Sequence, residues 1–191
     1  MKIYELADDS VHDLLKEAIS AYHNMIGKLE IKFGLIRVTS VDKKGEPDEK
    51  PALKSSSGHA AAAQISLVSK KDQLSKNYEV EILFDGPMWD GMTDKKRLAI
   101  LDHELTHIEI AKDKDGHAKI DDLTGKPKLK LIPDQFHLWG FLDIAKRHGE
   151  DSSEVANMRS MAINHGHLFG LETGTPPAPK DELAPDSSSD S

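Results

Sequence analysis

Residues 93–111 have the apolar spacing of an amphipathic helix, and this segment constrains the fold more than any other. Aliphatic side chains recur there three and four residues apart: Leu98, Leu101, Leu105 and Ile108. Thr93 is a suitable N-cap, and Asp94 in the first turn complements the helix dipole. The pattern therefore predicts a helix over 93–111 that buries one side against a core.

His103, Glu104 and His107 form an H-E-x-x-H pattern within this helix. Residues four apart are separated by about 40° on a helix of ~3.6 residues per turn, so both imidazoles face one cleft. Two such histidines make half of a zinc site, and Glu104 lies beside the open coordination position. A glutamate there accepts a proton from zinc-bound water that attacks a peptide carbonyl, and passes the proton to the leaving amine. The pattern predicts a zinc metalloendopeptidase with Glu104 as the catalytic residue and both histidines as metal ligands.

The third metal ligand is less well defined, because catalytic zinc takes three protein ligands and keeps one position for water. His137 is the first choice, since a residue near the start of the next predicted helix can face back toward the motif. Asp134, one turn earlier, is the second choice. Asp113 lies where metzincin-type enzymes place their last ligand, but Ile110 replaces the glycine of that pattern. His117, in a predicted turn, ranks with Asp113 behind the other two.

The composition indicates one globular domain. The chain has 191 residues, of which 38% are hydrophobic, and its acidic end is rich in proline and serine. We expect a single domain over 1–170 and a disordered tail over 171–191, where almost no large apolar residue favours folding. Because the chain has no cysteine, a metal must be held by imidazole and carboxylate, and ten histidines are available.

Charge and hydropathy limit the partners that we expect. The net charge of −8 disfavours nucleic acid, although Lys126, Lys128 and Lys130 form a local basic patch. The sequence has no apolar run near the ~20 residues of a membrane span and no signal-peptide pattern. We therefore expect a cytoplasmic protein that acts on a protein or peptide substrate and has no membrane partner.

The segments around the motif predict an α+β domain. Helical spacing predicts helices at 9–27, 133–149 and 152–162. Runs of apolar residues with interleaved polar ones predict strands at 29–41 and 78–84 and a hairpin at 120–132. The segment 60–68 is also interpreted as a strand, although its alanine run would permit a short helix. We expect a small twisted sheet packed on helices, with the motif helix beneath it. The other histidines are interpreted as helix-terminating or surface residues: His165 and His167 at the end of the last helix, and His12, His23, His59 and His148 on the surface.

The segments 100–107 and 145–149, together with Trp89 and Phe141, resemble the putative phage metallopeptidase family over about residues 30–150. This resemblance implies a zincin-like domain built around an HExxH helix, encoded by a phage and active in the host cytoplasm. More distantly, the chain is similar to SprT-type and WLM-type DNA-repair proteases, in which a histidine four residues before a phenylalanine is the third zinc ligand. His137 and Phe141 have that spacing.

Two other functions compete with peptide hydrolysis. In a non-catalytic binding module, zinc bound to the motif helix would only stabilise the fold. Such a metal would have four protein ligands, whereas a catalytic zinc has three protein ligands and a water molecule. A repair-type protease acting on DNA-bound proteins would need a nucleic-acid surface, for which the patch at 126–130 is the candidate.

Overall fold

The computed structural model describes residues 1–165 apart from 49, 56–57, 123 and 135–139. Two sheets lie in this part of the chain. The larger sheet has the strand order β1-β2-β4-β3 and consists of β1 Lys2–Leu6, β2 Phe33–Ser40, β3 Ala63–Leu67 and β4 Val80–Asp85. The smaller sheet is a hairpin of β5 Ile108–Ile110 and β6 Leu129–Leu131.

Parallel and antiparallel pairs are mixed in the larger sheet. β2 and β4 are parallel, β1 is antiparallel to β2, and β3 is antiparallel to β4. The buried strands β2 and β4 contribute Leu35, Ile82 and Phe84 to the core, as their β-branched and aromatic composition favours. β3 lies at one edge, so among the described residues it pairs with a strand of this sheet on one side only.

Seven α-helices lie within the described residues. They are α1 Asp9–Tyr22, α2 Asn24–Lys28, α3 Lys70–Lys76, α4 Gly86–Asp90, α5 Asp94–Thr106, α6 Leu142–His148 and α7 Ser153–His165. A short 3₁₀ turn, Gly149–Asp151, joins α6 to α7. α1 and α5 pack together, and their apolar faces share a core with the sheet through Val11, Leu15, Leu101 and Leu105. The predicted α+β class is confirmed.

The strands and helices of the sequence prediction are present, but several of their boundaries differ. The predicted strands at 29–41, 60–68 and 78–84 correspond to β2, β3 and β4. The predicted helix at 9–27 is interrupted at His23, where the backbone leaves the helical region and the imidazole binds Asp102. β1 and α3 were not predicted, because β1 is exposed along its length and α3 has no buried residue.

The motif helix ends earlier than its apolar stripe suggests. α5 stops at Thr106, and Ile108 lies in β5 instead of the helix. The Thr106 hydroxyl donates to the carbonyl of Asp102 one turn back, and the His107 carbonyl accepts from the amide of Ile132. These bonds turn the chain into the β5–β6 hairpin, where β-branched residues are favoured. The predicted extension to residue 111 is therefore wrong.

The helix predicted over 133–149 is shorter in the structure. Pro133 and Asp134 are not helical, and α6 begins only after Phe141, whose backbone is extended. Phe141 is buried against the rings of His103 and His107. Its conformation is therefore determined by this packing and not by its local helix propensity. No described helix has both the length and the apolar character that a bilayer crossing requires.

Candidate metal centre

The last turn of α5 brings the two motif histidines together. The Nε2 atoms of His103 and His107 are 3.2 Å apart, and both side chains are largely buried. This proximity follows from their spacing of four residues on one helix. Both imidazoles therefore face one point, as the sequence pattern predicts.

Each imidazole is fixed through its other nitrogen. The Nδ1 atom of His103 lies 2.6 Å from a carboxylate oxygen of Glu154, and Nδ1 of His107 lies 2.6 Å from the carbonyl oxygen of Ile132. Both partners are acceptors, so each Nδ1 carries the proton and donates it. In the neutral rings the Nε2 lone pairs then point toward the shared space, which is the state that binds metal.

Asp134 completes a group of three donor atoms. Its Oδ1 lies 3.5 Å from Nε2 of His103 and 3.7 Å from Nε2 of His107. This oxygen is buried and has no hydrogen-bond partner among the described residues, a costly state that a cation would relieve. Two ligand atoms on a tetrahedral zinc, each ~2.0–2.1 Å from the metal, lie about 3.3 Å apart. The three observed separations are near this value, so the residues fit a zinc ion.

Glu104 lies between α5 and the edge strand. It is only 7% exposed, and the backbone amide of Ile65 in β3 hydrogen-bonds its carboxylate. Burial raises the pKa of Glu104 to about 7, although the nearby His103 acts in the opposite direction. A carboxylate in this position can both accept and release a proton near neutral pH.

The two histidines differ in their charge preference. Burial disfavours the charged form of His103, but the adjacent Glu154 carboxylate outweighs it and holds the pKa of His103 above its usual value. Burial lowers the pKa of His107, even though the Ile132 carbonyl favours its protonated form. The difference arises because His103 contacts a full negative charge, whereas His107 contacts a carbonyl dipole.

Two other predicted ligand candidates in the described part of the chain, Asp113 and His117, do not lie beside the motif histidines. Asp113 and His117 lie together in an exposed turn, where the Asp113 carboxylate accepts backbone amides, and His117 is 82% exposed. The structure separates both from the motif histidines, and Asp134 takes a position beside the motif instead. His137 and His167 lie outside the described residues, so the role of His137 as a ligand stays a prediction. The predicted tail over 171–191 also lies outside them.

Two functional contacts were not apparent from the sequence. Glu154, in the first turn of α7, is completely buried and binds His103. Its only sequence signal is its position after two serines at a helix start, which does not indicate a partner 51 residues away.

The second unpredicted feature is a buried cluster on the opposite side of α5. Asp102 accepts hydrogen bonds from His23, Arg147 and His148 at 2.6–2.9 Å. Burial would raise the pKa of Asp102, but these three donors hold it at about 2. The prediction that His23 and His148 are surface residues is wrong, because their side chains are only 12% and 8% exposed.

An open cleft of about 940 Å³ contains the candidate centre. β3 forms one wall, and the segment 131–134 and the start of α7 form others. Apolar side chains line the end nearest the beginning of α5: Met88, Met92 and Ile100. Two of the three lysines of the predicted basic patch form ion pairs, Lys126 with Glu79 and Lys130 with Glu109.

An α+β domain in which two histidines and an aspartate converge beside a buried glutamate defines a candidate metal-dependent enzyme. The model of one protein family, described as putative phage metallopeptidase, matches residues 3–162, and the chain belongs to this family. No curated protein and no solved structure matches the chain. The family description implies a metal ion and a peptidase activity, and the site provides residues for both. The resemblance to SprT-type and WLM-type proteases stays a prediction.

Proposed function

We propose that the chain is a zincin-like zinc endopeptidase whose metal is held by His103, His107 and Asp134, with Glu104 as the general base. One observation supports this most strongly: three donor atoms converge within 3.7 Å of one another beside the buried carboxylate of Glu104. Two imidazoles and one carboxylate are the ligands of many catalytic zinc sites, and they leave one coordination position for water. When bound, zinc polarises the substrate carbonyl and makes water more acidic.

Glu104 performs the proton transfers in this proposal. Its carboxylate accepts a proton from the water molecule while the water oxygen forms a bond to the peptide carbonyl carbon. It then donates that proton to the amide nitrogen as the carbon–nitrogen bond breaks, so Glu104 returns to its starting state. The hydrogen bond from Ile65 holds the carboxylate near the substrate-binding edge of the sheet.

The edge strand β3 supplies the binding surface for an extended peptide. The Ala62 carbonyl and the Val68 amide bond to β4, so the alternation of an antiparallel pair turns the backbone groups of residues 63, 65 and 67 outward. A substrate can add to this edge as another strand. The outward amide of Ile65 donates to Glu104, so a peptide bound along this edge would have its scissile bond beside the base.

Replacement of the base tests the proposed chemistry. Glu104→Gln should keep one zinc per chain and lose about 10²–10⁴-fold in peptidase activity, because a neutral amide cannot accept the proton. Zinc content measured by elemental analysis and turnover of an unstructured protein such as casein are the two readouts. Glu109→Gln, an exposed glutamate on β5, is the matched control and should leave both unchanged. Activity retained in Glu104→Gln would refute the proposed mechanism.

The third ligand is tested by a pair of variants. Asp134→Ala should lower the affinity for zinc, whereas His137→Ala should retain it if Asp134 is the ligand. Loss of zinc in His137→Ala alone would assign the role to His137. If both replacements release zinc, the metal has four protein ligands, and the site is a structural zinc site that stabilises the fold without catalysing a reaction.

A further inference from the structure

Glu154 binds Nδ1 of His103, the ring nitrogen that is not proposed to hold the metal. Its side chain has no exposed surface, and one carboxylate oxygen lies 2.6 Å from Nδ1 of His103. The same oxygen accepts the backbone amide of Phe141 at 3.3 Å. Burying a charge is costly unless it is paired, and His103 is the ionisable partner that this carboxylate contacts.

The start of α7 aims Glu154 at the imidazole. α7 begins at Ser153, and the Ser152 hydroxyl just before it accepts a hydrogen bond from the amide of Val155. Glu154 lies in this first turn. The facing segment contains Gly140, and a Cβ atom at that position would lie 2.2 Å from Cγ of Glu154. The absence of a side chain at residue 140 therefore provides the space that the glutamate occupies.

We propose that Glu154 is a positioning residue that keeps His103 in the tautomer and orientation needed for metal binding, and that Gly140 is required for its placement. This inference rests on the proposed metal centre. A carboxylate that accepts the Nδ1 proton leaves the Nε2 lone pair free, makes the imidazole a better donor, and prevents rotation of the ring. His107 receives only a carbonyl at the equivalent nitrogen, so the stronger constraint acts on His103.

Zinc affinity of the whole chain tests the role of Glu154. Glu154→Gln keeps the shape and an acceptor oxygen but removes the charge, and we expect zinc to bind about 10-fold more weakly in competition with a chromogenic chelator. Glu154→Asp keeps the charge but withdraws the carboxylate by one methylene, and should weaken binding by about 10–100-fold. Glu150→Gln, an exposed glutamate in the adjacent 3₁₀ turn, controls for the change in net charge and should bind like wild type.

A second replacement tests the placement without altering the carboxylate. Gly140→Ala should displace Glu154 and weaken zinc binding to a similar extent. In zinc-loaded wild type, the Nδ1 proton of His103 should give a downfield resonance in a ¹⁵N-histidine spectrum, and Gly140→Ala should shift or broaden it. This signal reports on the hydrogen bond itself and does not depend on peptidase activity.

The outcomes separate this inference from the proposed function. If wild type binds zinc and Glu154→Gln, Glu154→Asp and Gly140→Ala bind it equally well, Glu154 has only a structural role and the inference is wrong. If wild type itself binds no zinc, the proposed metal centre is wrong. Weaker binding in all three variants, with Glu150→Gln unchanged, supports the positioning role.

Discussion

Replacing Asp102 by alanine removes the buried carboxylate that links α5 to two other parts of the chain, His23 after α1 and the end of α6. One oxygen accepts from His23 at 2.7 Å and from Arg147 at 2.9 Å. The other accepts from Arg147 at 2.9 Å and from His148 at 2.6 Å. The variant Asp102→Ala leaves all of these donors without their acceptor, so it should destabilise the protein strongly.

The size of the effect follows from the exposure of the partners. Removing one partner of a fully buried ion pair costs about 3–5 kcal/mol, because the remaining charge loses its compensation. Arg147 is 35% exposed and can regain water when its acceptor is lost, so we expect the lower end, about 3 kcal/mol. For a domain of this size, ~2–4 °C per kcal/mol corresponds to a decrease in Tm of about 6–12 °C.

Urea unfolding of the metal-free protein, followed by tryptophan fluorescence, measures this loss without a contribution from bound metal. Asp94→Ala is a matched control because it removes a carboxylate from the same helix. Asp94 is 77% exposed and pairs with Arg97 on the surface, so its loss should cost less than about 1 kcal/mol. Equal destabilisation by the two replacements would show that the buried cluster does not stabilise the fold as argued.

Two further predictions concern the substrate-binding edge and the metal. Leu67→Pro removes an amide that faces away from β4 and that could donate to a bound peptide. Losing this one hydrogen bond to the substrate should raise KM about 2–10-fold, while the zinc content stays the same. Ser66→Pro, whose amide faces β4, should instead destabilise the fold, and an unchanged KM in Leu67→Pro would argue against strand addition. Zinc at 100 times its Kd should stabilise the folded chain by about 2.7 kcal/mol, so chelation should lower Tm by about 5–11 °C in a thermal scan. Equal Tm values with zinc and with chelator would contradict metal binding by the folded state.

Local sequence patterns predicted the parts of the fold that depend on neighbouring residues. The H-E-x-x-H pattern is local, and it correctly brought His103 and His107 together because one helix contains both. The three predicted strands are present because their alternation reflects burial in the sheet. The boundary at Thr106 was missed, since the apolar stripe continues into Ile108, a residue that suits a strand equally well.

Contacts between distant segments were not predictable in the same way. Glu154 and His103 are 51 residues apart, and no periodicity connects them. His23 and His148 have the appearance of surface histidines until the fold brings both to Asp102. Asp134 was the second choice behind His137, but its backbone is not helical and its carboxylate lies beside the motif histidines.

The positions of Asp134 and Glu154 in the sequence have a consequence for biosynthesis. Both motif histidines are synthesised before Asp134, and Glu154 follows later still. A nascent chain that ends before residue 154 has the two imidazoles but lacks the carboxylate behind one of them. Since domains fold as their segments emerge from the ribosome, the centre cannot mature until almost the whole family-matched region has been translated. The order of residues along the chain thus makes the proposed centre complete only after residue 154 has been synthesised.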